Sequence, residues 1–72
     1  MIGVLKNFSI CREASGVTAT GLLLMASNDS VVVRFSGVNA EHAERAQGRM
    51  ISVSGERGRC GFMVRQFSVL AC

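Results

Sequence analysis

The sequence has no proline, no tryptophan and no tyrosine. No linker, low-complexity segment or internal repeat interrupts it. Four phenylalanines, Phe8, Phe35, Phe62 and Phe67, are the whole aromatic complement, so a function that stacks on flat rings has few to use. No stretch reaches the roughly 18 consecutive apolar residues of a helical membrane span. Histidine occurs once, as His42, and the three cysteines, Cys11, Cys60 and Cys72, form no CxxC pair. A structural zinc needs about four converging ligands at characteristic pair spacings. These four side chains show none, so neither a metal nor any other cofactor is expected. An odd number of widely spaced cysteines also argues against a disulfide framework. The thiols are read as reduced, with Cys11 and Cys60 partly buried and Cys72 a terminal thiol.

Catalysis has equally little to work with. His42 stands between Glu41 and Glu44 on what reads as an exposed helix face, the setting of a solvated histidine rather than a general base. Two glutamates one turn apart on a helix surface lack the cleft that sets two carboxyls apart as acid and base. The run "GERGRCG", residues 55–61, is rich in glycine but has neither the lysine-serine/threonine ending nor the following helix of a phosphate loop. The chain is read as non-enzymatic.

What is present points to a small folded domain with a positive surface. At 72 residues the chain forms one domain, 1–72, near the lower size at which a single core suffices, and such chains often gain stability by self-association. Lysine and arginine number eight against five acids, for a net charge of +3, and seven of the eight are arginine. Arginine is the side chain best suited to phosphate forks and to stacking on rings, which leans toward an anionic partner; where acids lie nearby, the same residues read as an ordinary solvated surface. The N-terminal run "MIGVLKNFSICREASG" has one lysine and an interrupted apolar stretch in place of a signal peptide's charged start, continuous apolar block and cleavage site. A cytoplasmic location is therefore expected.

Apolar alternation with a period of two marks the first strand over Ile2–Arg12, where Ile2, Val4, Phe8 and Ile10 share one parity and Lys6 interrupts it. A strand of that length is expected to bend or bulge. Turn residues follow at 13–16, "EASG". A second strand runs over Val17–Ser27, with Gly21 inside it as the mark of a bulge or coiled bend. The polar turn "SNDS", residues 27–30, leads into a third strand at 31–36 that sets Val31, Val33 and Phe35 on one face and Val32, Arg34 and Ser36 on the other.

A short helix is expected over Ala40–Gln47. Asn39 is placed to cap it, Glu41 and Glu44 suit the positive end of its dipole, and Gly48 suits a left-handed stop. Ala40, Ala43, Ala46 and Gln47 recur at helical spacing, and Glu41 with Arg45 could pair at i,i+4. Alanine brings little apolar area, so this helix fits best as a lid laid close over the end of a sheet. Strands are expected again at 49–56, with Ile51 and Val53 alternating with Ser52 and Ser54, and at 62–71, after the turn "ERGRCG". Five strands with one helix between the third and fourth, curled to protect their edges, make an all-β fold: a small five-stranded OB-fold barrel.

The stretches "SGVTATGLLLMAS" and "VVVRFSGVNAEHAERAQGRMISVSGERG" resemble the bacterial single-stranded-DNA-binding and primosomal replication protein superfamily. The likeness lies in a Ser-Gly turn leading into a small-residue strand, and in a strand, glycine, small-residue helix, glycine, strand and V-x-G run. It implies a minimal OB-fold member of that superfamily: a non-catalytic binder of single-stranded nucleic acid, DNA first and RNA second. Such a protein would be a homo-oligomer, dimer or tetramer, serving replication, recombination or plasmid or phage DNA processing, with a replication or plasmid protein as a further partner. The acidic tail that larger members use for recruitment is missing, so recruitment by that route is not expected.

Binding a single strand without sequence preference needs cations that track phosphates and rings that stack on bases. The candidate set is Lys6, Arg12, Arg34, Arg57, Arg59, Phe62 and Arg65. Phe8 and Phe35 share parity with core residues and are read as buried. Phe62 and Phe67 fall on opposite faces of the last strand, so at most one of them points inward. Phe62, beside the turn that carries Arg57 and Arg59, is the better stacking candidate. The competing reading is a protein-interaction module that dimerises or docks on a larger complex through exposed sheet or the apolar end "FSVLAC".

Overall fold

A computed structural model describes residues 1–59 and 61–70. The apolar alternation produces strands β1 (Ile2–Glu13), β2 (Gly16–Leu24), β3 (Ser30–Ser36), β4 (Met50–Gly58) and β5 (Gly61–Val69), with one helix, α1 (Val38–Glu44), between β3 and β4. The strands close in the order β1-β2-β3-β5-β4, and Ile2–Val4 of β1 return to pair with residues 50–52 of β4. Every pairing is antiparallel except that of β3 with β5. This is the OB-fold barrel that the element order anticipates. Among the described residues no helix is long and apolar enough to cross a membrane.

The interior is filled by Leu5, Ala19, Leu23, Val33, Phe35, Ile51, Val53 and Val64 from the strands. Each large apolar side chain so buried contributes about 1.5–3 kcal/mol. Two bulges decide which residues these are. In β1, Asn7 and Phe8 together oppose Gly21, because Lys6 pairs with Leu22 while Ser9 pairs with Thr20. Asn7 takes a left-handed φ of 52°, a conformation asparagine tolerates better than most residues. The extra residue inverts the alternation. Leu5 is therefore the buried residue before the bend, Phe8 and Ile10 point inward after it, and Ile2, expected inside, is 53% exposed. β2 itself runs unbroken through Gly21, which pairs with Val33; the bulge lies opposite it. A Cβ on Gly21 would stand 2.8 Å from Leu5 Cδ1, so the missing side chain is what lets β1 bend there.

The second bulge is in β5. Gln66 pairs with Ser54 and Val64 with Gly55, leaving Arg65 as the extra residue. Phe62 and Phe67, expected on opposite faces, consequently both pack against the core. Phe67 meets Phe35 edge-on, with ring centroids 5.4 Å apart, and Phe8 lies 6.2 Å from Phe35 on another side. Phe35 is buried as expected, and Phe8 is half-buried.

The helix closes one end of the barrel by presenting Ala40 and Ala43, and Ala46 follows in the turn after its C-cap, Arg45; all three alanines are fully buried. It starts earlier than its composition suggests. Gly37, at φ 61°, is the N-cap without any side-chain cap bond, and its amide is held by the Val17 carbonyl at 2.8 Å. Asn39, expected as the cap, instead donates from Nδ2 to the Arg65 carbonyl at 2.8 Å and so fastens the helix to the β5 bulge. Gln47 is exposed and donates to the Glu44 carbonyl, outside the alanine stripe with which its spacing grouped it. Gly48 has the anticipated left-handed φ, 77°, and its amide bonds the Leu5 carbonyl at 2.7 Å.

The hairpins differ in length from the expectation. β2 ends at Leu24, three residues before the expected Ser27, because Met25 and Asp29 close the turn by a 2.9 Å backbone bond with Asn28 at φ 69°. β4 runs on to Gly58 and β5 begins at Gly61, so the connection is shorter than the turn expected at 56–61. Cys60 and Cys72 lie outside the described residues.

Gly55 admits β5 so closely that a Cβ would collide with the Met63 carbonyl, whereas one on Gly58 would stay at 3.5 Å from its nearest neighbour. Gly55→Ala should therefore lower the unfolding free energy by about 1–3 kcal/mol, and Gly58→Ala should change it by no more than about 0.5 kcal/mol. Urea denaturation of both variants at one protein concentration checks the contrast.

Candidate nucleic-acid interface

The β4–β5 hairpin carries the densest set of the predicted residues. Arg57 pairs with Phe62 and Gly58 with Gly61. Directly opposed residues share a face, so Arg57 stands on the side to which the Phe62 ring turns. Phe62 is half-buried and packs against the core, leaving part of its ring open beside an exposed guanidinium. Arg59 occupies the tip and is exposed. Gly61, at φ +120°, comes so near β3 that a Cβ would stand 2.6 Å from the Val32 carbonyl. The tip end of the hairpin thus lies close against β3 through Gly61.

The outer face of the barrel supplies two further cations. Arg34 sits between Thr20 of β2 and Met63 of β5, and Met63 in turn lies next to Glu56 of β4. One row along the strands, Lys6, Leu22 and Val32 are side by side. Lys6 is therefore two strand spacings from β3, about 10 Å, and falls on the same outer face as Arg34. Both are exposed.

The remaining two cations of the set are engaged elsewhere. Arg65 Nη2 is 2.6 Å from Glu56 Oε1, across the bulge. Arg12 Nη2 is 3.5 Å from Glu44 Oε2, which binds the end of β1 to the end of the helix. Both pairs are well exposed, and such pairs contribute about 0–1 kcal/mol each; their effect here is to neutralise charge locally. The expected Glu41–Arg45 pair is absent among the described residues. Glu44 is the helix glutamate that finds a partner, and Arg45 is the C-cap, past the last helical residue. The seven predicted residues accordingly separate into a group at the hairpin and its neighbouring face (Lys6, Arg34, Arg57, Arg59 and Phe62), a paired bulge residue (Arg65), and a helix anchor (Arg12).

Several neighbours of this group carry no periodic signal in the sequence. Met63, 42% exposed, lies beside Arg34 only because β3 and β5 run parallel. Ser52, Ser54, Gln66 and Ser68 line a shallow polar groove on the outer face of β4 and β5, and Ser54 Oγ donates to the Gln66 carbonyl at 3.4 Å. The chemistry assembled here is electrostatic and hydrogen-bonding, with a single partly open ring.

Cys11 is exposed, not partly buried as expected, because its neighbour Ile10 takes the inward position while Cys11 pairs with Thr18 on the outer face. Its Sγ donates to Glu13 Oε1 at 3.3 Å. That hydrogen bond, reinforced by the negative charge of the Glu13 carboxylate, raises the thiol above its ordinary pKa. A raised pKa means less thiolate at a given pH below it, hence slower alkylation. Glu13→Gln should move the alkylation profile of Cys11 to lower pH, read by mass spectrometry of the Cys11 peptide after iodoacetamide treatment from neutral to alkaline pH. Compared with protein-family models, with curated proteins and with solved structures, the chain matches none.

Proposed function

We propose that the chain binds single-stranded nucleic acid, DNA in the first place with RNA as the alternative, without catalysing a reaction. On this reading it resembles a minimal single-strand-binding accessory of replication, recombination or plasmid or phage DNA processing and works in the cytoplasm. The observation that carries the proposal is a set of four cations, none of them in an ion pair among the described residues: Lys6 and Arg34 on the outer face of an OB-fold barrel, and Arg57 and Arg59 on the β4–β5 hairpin beside the half-buried Phe62. OB-fold barrels present the face of strands two and three and the loop between strands four and five to oligonucleotides. Arg34 lies on that face, and Arg57 and Arg59 lie at that loop.

The same geometry sets the character of the binding. Base stacking contributes about 1–3 kcal/mol per base, but Phe8, Phe35 and Phe67 are engaged with one another in the core. One ring at most is left to stack, so affinity comes mainly from phosphate contacts and counterion release. Four contacts predict a slope of about −2.8 in log K against log salt for a single strand.

Fluorescence anisotropy of a labelled poly-thymidine oligonucleotide, titrated at several salt concentrations with duplex DNA and poly-uridine as competitors, tests this. The single strand should be preferred over duplex, and the double variant Arg57→Ala/Arg59→Ala, still folded by circular dichroism, should bind more weakly with a slope reduced to about −1.4. Absence of binding at low salt would overturn the reading. Stronger competition by poly-uridine than by poly-thymidine would move it to RNA.

A further inference from the structure

One side of β4 is only half used. Toward β5 the strand is paired along its length, from Ile51 with Val69 to Gly58 with Gly61. Toward β1 it is paired through residues 50–52 alone, and the last bonds on that side join Val53 to Met1: the Val53 amide donates to the Met1 carbonyl at 2.8 Å, and the Met1 nitrogen to the Val53 carbonyl at 3.2 Å. Past this point residues 54–59 are all exposed, and among the described residues no strand pairs with that side.

The hydrogen-bond parity of the strand identifies the groups left open. In an antiparallel ladder, residues that turn their N–H and C=O to one neighbour alternate with residues that turn them to the other. Val53 faces β1, whereas the Met50 carbonyl takes the Leu70 amide at 3.0 Å on the β5 side. Odd-numbered residues of β4 therefore face away from β5. The bulge places its extra residue, Arg65, in β5, so the alternation within β4 continues to the hairpin tip. The amides and carbonyls of Gly55 and Arg57 accordingly point to the open side, and neither residue makes a backbone bond outside the β4–β5 pairing among the described residues.

We propose that the open edge of β4 takes an extended segment of another protein, bearing carboxylates at alternate positions, as an added strand antiparallel to β4 and end to end with β1. The backbone selects a peptide as the occupant. Two donors and two acceptors at strand spacing are matched by the main chain of an extended peptide, whose ladder bonds supply affinity while its alternate side chains supply specificity. β1 already uses the same edge in this way at residues 50–53. Edges are commonly blocked by proline, by a bulge or by bulky charge; here residues 54–58 contain no proline, the bulge is on the partner strand, and Gly55 and Gly58 carry no side chain.

Charge selects the kind of peptide. Glu56, the one acid of the hairpin, is held by Arg65 at 2.6 Å, whereas Arg57 and Arg59 have no ion-pair partner among the described residues. A guest residue directly opposite Arg57 lies on the same face with its Cα about 5.5 Å away, within reach of the guanidinium for an aspartate or glutamate. The next guest residue falls on the face of Glu56 and is not acidic. The ladder needs no phosphate, so this proposal does not rest on nucleic-acid binding and stands or falls without it.

Hydrogen exchange and a peptide titration, both followed by NMR of the full chain without nucleic acid, test the inference. In the free chain the Gly55 and Arg57 amides should exchange faster than those of Ser54 and Glu56. An alternating threonine–glutamate octapeptide should shift and protect the Gly55 and Arg57 amides. Arg57→Ala, folded by circular dichroism, should weaken its binding by at least about tenfold, the loss of one charge-assisted contact. The same peptide N-methylated at its glutamate amides should not bind, and an alternating threonine–lysine peptide should bind far more weakly. Slow exchange at Gly55 and Arg57 in the free chain means that the edge is already covered, by a second copy or otherwise, and overturns the proposal. So does failure of the glutamate peptide to bind, or binding that N-methylation leaves unchanged. Equal binding of the lysine peptide overturns the choice of an acidic partner.

Discussion

The barrel depends on one strand serving two neighbours. β1 pairs with β2 along nearly its whole length and with β4 only through Ile2–Val4, which requires the strand to turn sharply between those tasks. The turn is made at Asn7, in a left-handed conformation, against a partner position where Gly21 has no side chain to obstruct it. Everything else follows from that geometry. Leu5 enters the core, the phenylalanine group around Phe35 assembles, and the loop from the helix into β4 is drawn under β1 by the bonds of Gly48 and Arg49 to Leu5. The outward turn of Ile2 and Val4 is the other half of the same event.

A second displacement, at Arg65, works in the opposite sense for the aromatic residues. It brings Phe62 and Phe67 to one side of β5 and leaves Arg65 with a carbonyl free to accept the Asn39 amide. The helix, poor in apolar area, is therefore held by specific polar contacts and by the close fit of three alanines more than by hydrophobic burial. Electrostatics divides along the same lines. Arg12 and Arg65 are occupied by glutamates at the helix end and the bulge, whereas Arg57 and Arg59 on the hairpin and Arg34 and Lys6 on the outer face stand unpaired among the described residues.

Much of this was legible in the residues alone. Alternation in "VVVRF" and "ISVS", the turn residues at 13–16 and the alanine spacing at 40, 43 and 46 are enough to place five strands and a helix in the right order. What alternation cannot reveal is a change of phase. Counting from Ile2 puts Leu5 outside and counting from Phe62 puts Phe67 opposite it, and both counts fail at a single inserted residue whose identity, asparagine in one case and arginine in the other, carries only a weak signal. Gly21 did mark the first irregularity, though on the strand facing it. The helix start was obscured for a related reason: Asn39 has the chemistry of a cap, but Gly37 has the backbone freedom, and the tertiary bond to β5 uses the asparagine. Of the candidate site, the hairpin arginines could be placed from sequence. That Arg34 lies beside Met63 could not, because the parallel pairing of β3 with β5 joins residues far apart in the chain.

The seam between β1 and β4 has a bearing on how the chain reaches this state. The β1–β2–β3 meander is built from two short turns and can form from local contacts, but residues 2–4 meet residues 50–52 only after most of the chain has been ordered. Closing so long a loop costs entropy before it is repaid. The last pairing formed is then the one that orders the Ile2–Val4 end of the outer face, and a barrel whose seam is open has an unfinished edge at both strands.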